Sequence, residues 1–124
     1  MSVAPRPYSH WRRAGDLVVL SGQLGMHTEN GVTKLVEGGT AAELKQALAN
    51  AEHVLAEAGA TMSQVVKATL FILDMKDFGA CNEVWLAAFS APLPTRTAVA
   101  VAQLPLGAHA EVELWAFAPE VATS

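Results

Sequence analysis

The chain has almost no cysteine, little basic charge and no long apolar run. Its single cysteine, Cys81, excludes an internal disulfide and any zinc site built from several cysteines. Eight lysines and arginines against twelve acidic residues give a net charge of -4, and the basic residues are scattered. A nucleic-acid-binding protein needs a basic surface, and a membrane-spanning helix needs about 20 apolar residues in a row. We therefore expect neither a nucleic-acid partner nor a membrane partner.

Motifs of several hydrolase classes are also missing. His109-Ala110-Glu111 matches the H-x-E half of a zinc deaminase signature, but the P-C-x-x-C half that completes the metal site is absent. The chain has no H-E-x-x-H motif, no G-x-S-x-G motif and no glycine loop that could bind phosphate. Ser21 has no neighbouring base in the sequence that could activate it as a nucleophile. Zinc deamination and serine catalysis are therefore not predicted.

The chain is rich in apolar residues for its length. Its 124 residues fit one domain, and 52% of them are apolar while only 16% are charged. This excess predicts surface that is buried against other copies of the chain. The first residues lack the basic and then apolar pattern of a signal peptide, so we expect a cytoplasmic protein. The domain prediction is a single unit over residues 1–124.

Short β-forming segments dominate the first third of the chain. Residues 1–7 contain two prolines and predict an extended arm. Strands are expected within residues 8–13, at Leu17–Ser21 and at Val32–Val36, with a loop over residues 25–32. Asn30-Gly31 inside that loop is a tight-turn signal.

Two segments have the apolar spacing of helices. Thr40–Ala58 carries one apolar stripe, and Thr40 with Glu43 has the form of a capping box at its start. Phe78–Phe89 carries apolar residues on one broad face. Between the two lies a strand candidate, residues 65–73, whose faces are both largely apolar.

Two further strands are predicted at the end of the chain, at Pro94–Pro105 and at residues 109–117. The order of elements predicts an α+β domain with a mixed sheet and both helices packed on one face. The other face would then expose apolar side chains such as Val65, Trp115 and Phe117. We therefore expect a homo-oligomer in which these sheet faces are covered.

An arginine and a glutamate in the last two strands are candidates for the chemistry. Arg96 offers a planar fork of donors that matches a carboxylate, and Glu111 could orient or deprotonate a water molecule. Side chains two residues apart share a face of a strand, which places Ala98 beside Arg96 and Glu113 beside Glu111. Spacing alone does not decide whether the two faces line one cavity. Both residues could also be solvated parts of a half-exposed sheet.

The block Arg96…Leu104-Pro105…Glu111-Val112-Glu113 resembles the C-terminal signature of the YjgF/RidA family of reactive imine deaminases. The resemblance covers nearly the whole chain, in order and at the family's spacing. Further matching segments are Pro7-Tyr8-Ser9, Leu20-Ser21-Gly22-Gln23, Asn82 and Pro94-Thr95-Arg96.

This resemblance implies a chorismate-mutase-like fold that assembles as a homotrimer with clefts between subunits. It implies hydrolysis of 2-imino acids, or their enamine tautomers, to 2-keto acids and ammonia, with no cofactor and no metal. Arg96 would hold the carboxylate of the small imino or keto acid, and Glu111 would position the attacking water. The positions that would bind substrate beside them are Tyr8, Ser21, Asn82, Trp85 and Ala98.

Three residues depart from the family pattern. Arg6 replaces a glycine, Trp85 replaces a tyrosine, and Ala98 stands where a cysteine is common. These departures keep open an alternative in which the chain binds small carboxylates without turning them over. The family's endoribonuclease activity is a less favoured reading because the chain is acidic.

Overall fold

A mixed sheet with two helices on one face makes up the described part of the chain, residues 6–120 of the computed structural model. The predicted arm over residues 1–7 falls mostly outside that part. The strands are β1 (Trp11–Ala14), β2 (Leu17–Leu20), β3 (Gln23–Leu24), β4 (Met26–Glu29), β5 (Val32–Leu35), β6 (Val65–Ile72), β7 (Thr95–Ala100) and β8 (Ala110–Phe117). The helices are α1 (Thr40–Glu57) and α2 (Phe78–Ala88).

Strands β6 and β8 form the centre of the six-stranded main sheet. They pair antiparallel with each other, β2 and β3 pair with the other edge of β8, and β7 pairs parallel with the outer edge of β6. Parallel neighbours need a crossover, and here α2 provides it. The two strands predicted at the end of the chain correspond to β7 and β8. They are not neighbours in the sheet, because β6 lies between them. The first of them, β7, ends at Ala100 instead of Pro105.

Both helices pack on the same face of this sheet, as predicted. Every second residue of β8 is fully buried against them, and three of the four are alanine or valine, which lets α1 approach closely. Burying a large apolar side chain stabilises a fold by about 1.5–3 kcal/mol. The cluster of buried apolar side chains between the sheet and the helices therefore supplies most of the driving force for folding. Its largest fully buried members are Leu44, Leu55, Leu70, Ile72, Leu114, Val18, Val112 and Cys81.

The opposite face of the sheet has no helix over it within residues 6–120. Trp115 is half-buried there with Lys67 4.5 Å from its ring centroid, and Phe117 is 50% exposed. Val65, which we assigned to this face from the sequence, is instead in the core. A bulge between Val65 and Lys67 shifts the alternation of the strand by one residue.

The segment expected to be a loop, residues 25–32, contains β4, which pairs with β5 in a separate two-stranded sheet. Asn30 and Gly31 both have positive φ, as the tight turn between two such strands requires. The sequence hid β4 because neither face of the hairpin is buried. It therefore lacks the alternation of apolar and polar residues that identifies a strand.

Helix α1 begins without the capping box that the sequence predicted. The residue before the helix is Gly39, and the Thr40 hydroxyl donates to the Asp77 carboxylate at 2.9 Å instead of capping its own helix. Glu43 turns inward and is only 2% exposed. It accepts two hydrogen bonds from His109, which leads into β8. The Thr-x-x-Glu pattern thus serves tertiary contacts here.

Neither helix in the described residues is long and apolar enough to cross a membrane.

Gly25 should be sensitive to substitution because the backbone of α1 lies against it. A Cβ at this position would lie 2.6 Å from the Cα of Glu43, and neither backbone can yield cheaply. We expect Gly25→Ala to lower the free energy of unfolding by about 2 kcal/mol.

Gly79→Ala is the matched control, because Gly79 lies in α2 with no atom within 4 Å of its added Cβ. It should leave stability unchanged or raise it by up to about 1 kcal/mol. Urea unfolding would measure both, and a Gly25→Ala protein as stable as the wild type would contradict this packing.

Candidate active site

Arg96 lies on the edge strand β7, on the face that packs against the helices. Its guanidinium carbon is 5.3 Å from the ring centroid of Phe78 and 5.1 Å from that of Trp85, both on α2. No carboxylate of residues 6–120 forms an ion pair with it. The aromatic rings hold the plane of the guanidinium, and stacking contacts of this kind leave its N–H edge open to an anion.

The neighbours of Arg96 include three of the residues predicted to bind substrate. Trp85 is 4% exposed and packs against Phe89, with the ring centroids 4.8 Å apart and the ring planes tilted by 41°. Asn82 lies one helical turn before Trp85, and its Oδ1 atom is buried with no hydrogen-bond partner among the described residues. Ala98 follows Arg96 on the same face of β7 and packs against the core. We call Arg96, Asn82, Trp85 and Ala98 the arginine half-site.

Sequence analysis missed Phe78 as part of this group. The available signal was its spacing of seven residues from Trp85, which puts both rings on one face of a helix. That spacing is also typical of two ordinary core residues. Only the position of β7 beside α2 shows that the guanidinium lies over both rings.

Glu111 lies on β8, in the wall of a cavity of about 520 Å³ that Tyr8 also lines. Its carboxylate lies directly against Gly22, where a Cβ would be 2.8 Å from the Glu111 carboxyl carbon, so a side chain at position 22 would displace the carboxylate. Ser21 does not line the cavity. Its hydroxyl donates to the Ser9 carbonyl at 2.6 Å and thereby holds the segment that carries Tyr8. We call Tyr8, Ser21 and Glu111 the glutamate half-site.

The environment of Glu111 favours its protonated form. Burial raises the pKa of Glu111 above its ordinary value, and repulsion from Glu113, which points the same way from β8, raises the pKa further. A carboxylate with a raised pKa is a better proton acceptor near neutral pH than an ordinary glutamate. The environment therefore suits Glu111 to take a proton from a bound water.

The two half-sites lie on opposite faces of the sheet. Arg96 is in register with Ala68 of β6, which in turn pairs with Leu114 of β8. Glu111 is three residues from Leu114, and an odd separation along a strand means opposite faces. Within one chain, therefore, Arg96 and Glu111 do not line one cavity. This answers the question that residue spacing left open.

Among residues 6–120, no group of three histidine, cysteine, aspartate or glutamate side chains is arranged to hold a metal ion. His109, from the H-x-E motif, has its Nδ1 atom 2.6 Å from the Glu43 carboxylate. That motif therefore belongs to a contact between α1 and β8.

The contribution of Glu113 to the pKa of Glu111 can be tested by removing its charge. In Glu113→Gln the repulsion is lost, so the pKa of Glu111 should fall, while burial should still hold it above an ordinary value. Carbon-detected NMR titration of the Glu111 carboxyl would measure the midpoint. Glu29→Gln, on the exposed hairpin, is the control and should leave it unchanged. An unchanged midpoint in a folded Glu113→Gln protein would show that Glu113 does not act on Glu111.

Comparison with known proteins identifies the family. Residues 1–118 match the family model described as Endoribonuclease L-PSP. A Mus musculus protein named 2-iminobutanoate/2-iminopropanoate deaminase is 41% identical over 107 residues, which are 86% of this chain and 78% of that protein. The Homo sapiens protein of the same name is 40% identical over 107 residues, 86% and 77% of the two chains. The crystal structure of RidA from a Psychrobacter species is 36% identical, with a TM-score of 0.84 over 93% of this chain and 91% of that one. The chain therefore belongs to the Endoribonuclease L-PSP family, also called the YjgF/RidA family.

Proposed function

We propose that this protein hydrolyses reactive 2-imino acids, or their enamine tautomers, to 2-keto acids and ammonia without a cofactor. The observation that carries the proposal is the Arg96 guanidinium, which lies over two aromatic rings and has no carboxylate partner among the described residues. Relatives that are 40% and 41% identical to this chain over 107 aligned residues are named for the deamination of 2-iminobutanoate and 2-iminopropanoate.

In this proposal Arg96 binds the carboxylate of the substrate through two parallel hydrogen bonds. Bidentate pairs between arginine and carboxylate are stronger and more directional than single hydrogen bonds. The rings of Phe78 and Trp85 exclude water from one side of the guanidinium, which strengthens the attraction. The buried Oδ1 atom of Asn82, which has no hydrogen-bond donor within residues 6–120, would accept a hydrogen bond from the substrate nitrogen.

Glu111 supplies the proton transfers. The carbon of a protonated imine is electrophilic, so a water molecule can attack it without a strong nucleophile. The water oxygen bonds to that carbon, the electron pair of the C=N bond moves to nitrogen, and Glu111 accepts the water proton. Glu111 then returns that proton to the nitrogen, and ammonia leaves with the electron pair of the C–N bond as the C=O bond forms and the hydroxyl proton passes to Glu111. Holding water and imine in register can lower the barrier by several kcal/mol.

The active site would be assembled between copies of the chain. We propose a chorismate-mutase-like homotrimer in which the arginine half-site of one copy faces the glutamate half-site of the next. Three features support this: the half-sites lie on opposite faces, β7 is an edge strand, and Trp115 and Phe117 lie on a sheet face with no helix over it. Cyclic assembly of identical chains naturally joins two different surfaces of neighbouring subunits.

The proposal treats residues 1–124 as one domain of a cytoplasmic protein whose ligand is a small acid. The family's description, Endoribonuclease L-PSP, also raises an endoribonuclease activity. The net charge of -4 gives no support for binding a polyanion, so we do not propose it. A module that binds keto acids without turnover remains the alternative that the experiment below separates.

Replacement of Arg96 tests the proposal. Substrates are 2-iminopropanoate and 2-iminobutanoate, generated in situ by an amino-acid oxidase, and the measurement is release of keto acid and ammonia above the rate without protein. We expect Arg96→Ala to lower kcat/KM by about 10²-fold or more, because two charge-assisted hydrogen bonds are lost. Arg96→Lys keeps the charge but loses the planar fork, so it should recover only part of the activity.

Lys45→Ala removes a cation from the exposed surface of α1 and should match the wild type. A wild-type rate equal to the rate without protein, for every imino acid tried, would refute the enzyme proposal. If 2-oxobutanoate still bound in calorimetry in that case, the binding module would be the correct alternative. Full activity in Arg96→Ala would refute the role of Arg96.

A further inference from the structure

Glu43 is the only charged side chain among the described residues that is buried. It lies in the first turn of α1, where a surface glutamate would interact with the helix N-terminus. Instead its carboxylate reaches the start of β8. Burying a carboxylate is costly unless hydrogen bonds compensate, so this placement requires an explanation.

The first contact of Glu43 is with the strand that carries Glu111. Its Oε1 atom accepts the backbone N–H of His109 at 2.7 Å, and its Oε2 atom lies 2.6 Å from Nδ1 of the same residue. His109 stands two residues before Glu111, and its carbonyl accepts the N–H of Leu73 at the end of β6. The carboxylate therefore fixes the position of β8 immediately before Glu111.

The second contact of Glu43 is made by its backbone, with the residue that follows β3, the strand paired with Glu111. The backbone of Glu43 packs against Gly25, which directly follows β3. That strand pairs Leu24 with Glu111, and Gly22 just before it touches the Glu111 carboxylate. The side chain of Glu43 thus holds the residue that leads into β8, and its backbone lies against the residue that follows the strand paired with Glu111.

We infer that Glu43, acting through His109, is a positioning residue that holds the Glu111 carboxylate in place for attack by water. This inference rests on the proposed imine hydrolysis. Glu43 touches neither substrate nor water, and its effect is on where Glu111 lies. A shift of about 1 Å in a catalytic group can lower a rate by up to 10²-fold without changing how tightly substrate is held. Loss of this contact should therefore reduce kcat and leave KM nearly constant, because Arg96 binds the substrate carboxylate from a different surface.

The test compares Glu43→Ala with Glu43→Gln and His109→Ala on 2-iminobutanoate, after wild-type turnover has been shown. Glu43→Ala should lower kcat about tenfold with KM changed less than about threefold. Glu43→Gln should recover most of kcat, because its amide oxygen still accepts the His109 N–H and its NH₂ group can donate to the ring nitrogen. His109→Ala keeps the backbone hydrogen bond, so a loss of a few-fold in kcat is expected.

Leu55→Ala is the control for a general loss of stability. Leu55 is fully buried on the same helix but far along it from Glu43. It should lower the unfolding midpoint without lowering kcat at a temperature where every variant is folded. A wild-type kcat in Glu43→Ala would overturn the inference, as would an equal loss of kcat in Leu55→Ala. If Glu43→Ala does not fold, a wild-type kcat in His109→Ala would overturn it. Absence of turnover in the wild type would instead refute the proposed function.

Discussion

The alternation of side chains across one sheet determines which of the candidate site residues can lie together. Strand β6 pairs with β7 on one side and β8 on the other, and this register puts Arg96 level with Leu114. Glu111, an odd number of residues away, must then point to the opposite face. Rotation of the side chains cannot bring Arg96 and Glu111 together, because the sheet itself lies between them. Within a single chain, Arg96 and Glu111 therefore do not line one cavity.

The same alternation explains the character of each half-site. The arginine lies on the helix side, where α2 supplies two aromatic rings that hold its guanidinium. The glutamate lies on the other side, with Glu113 on the same face, and there burial and like charge raise its pKa. A site that binds a carboxylate needs a guanidinium held in place, as the aromatic rings hold that of Arg96. A proton acceptor is improved by burial and a nearby like charge, as at Glu111. Their separation across the sheet lets Arg96 and Glu111 have these two different environments within one chain.

Sequence reasoning predicted the periodic parts of this fold correctly. The two helices, the central strand β6 and the mixed α+β sheet are confirmed, because their apolar spacing reflects burial on one face. It was wrong where burial does not set the pattern: in β4, whose hairpin is exposed on both sides, and at Val65, where one bulge residue inverted the alternation. The prediction of a capping box at Thr40 and Glu43 was wrong. These two residue types fit the local motif, but in the fold their side chains bond to Asp77 and His109, which are distant along the chain.

The candidate site divides in the same way. Residue types and their resemblance to a family pointed to Arg96 and Glu111, and their catalytic roles stay predictions. The sequence could not supply the register of the strands, that is, which residues pair across them. Register depends on hydrogen bonds between strands that are distant along the chain. Phe78 and Glu43 were missed for that reason, since each becomes relevant only through a partner from another element.

Complementation between two inactive variants tests the central claim most directly. Arg96→Ala and Glu111→Gln each remove one half-site, and each should be inactive alone on 2-iminobutanoate. If the site forms between copies, co-refolding the two in equal amounts should restore about a quarter of wild-type activity per chain, as random cyclic assembly predicts. Wild type co-refolded with the double variant should likewise retain about a quarter, whereas sites within single chains would retain about half. A mixture of the two single variants that stays inactive after co-assembly would contradict the account.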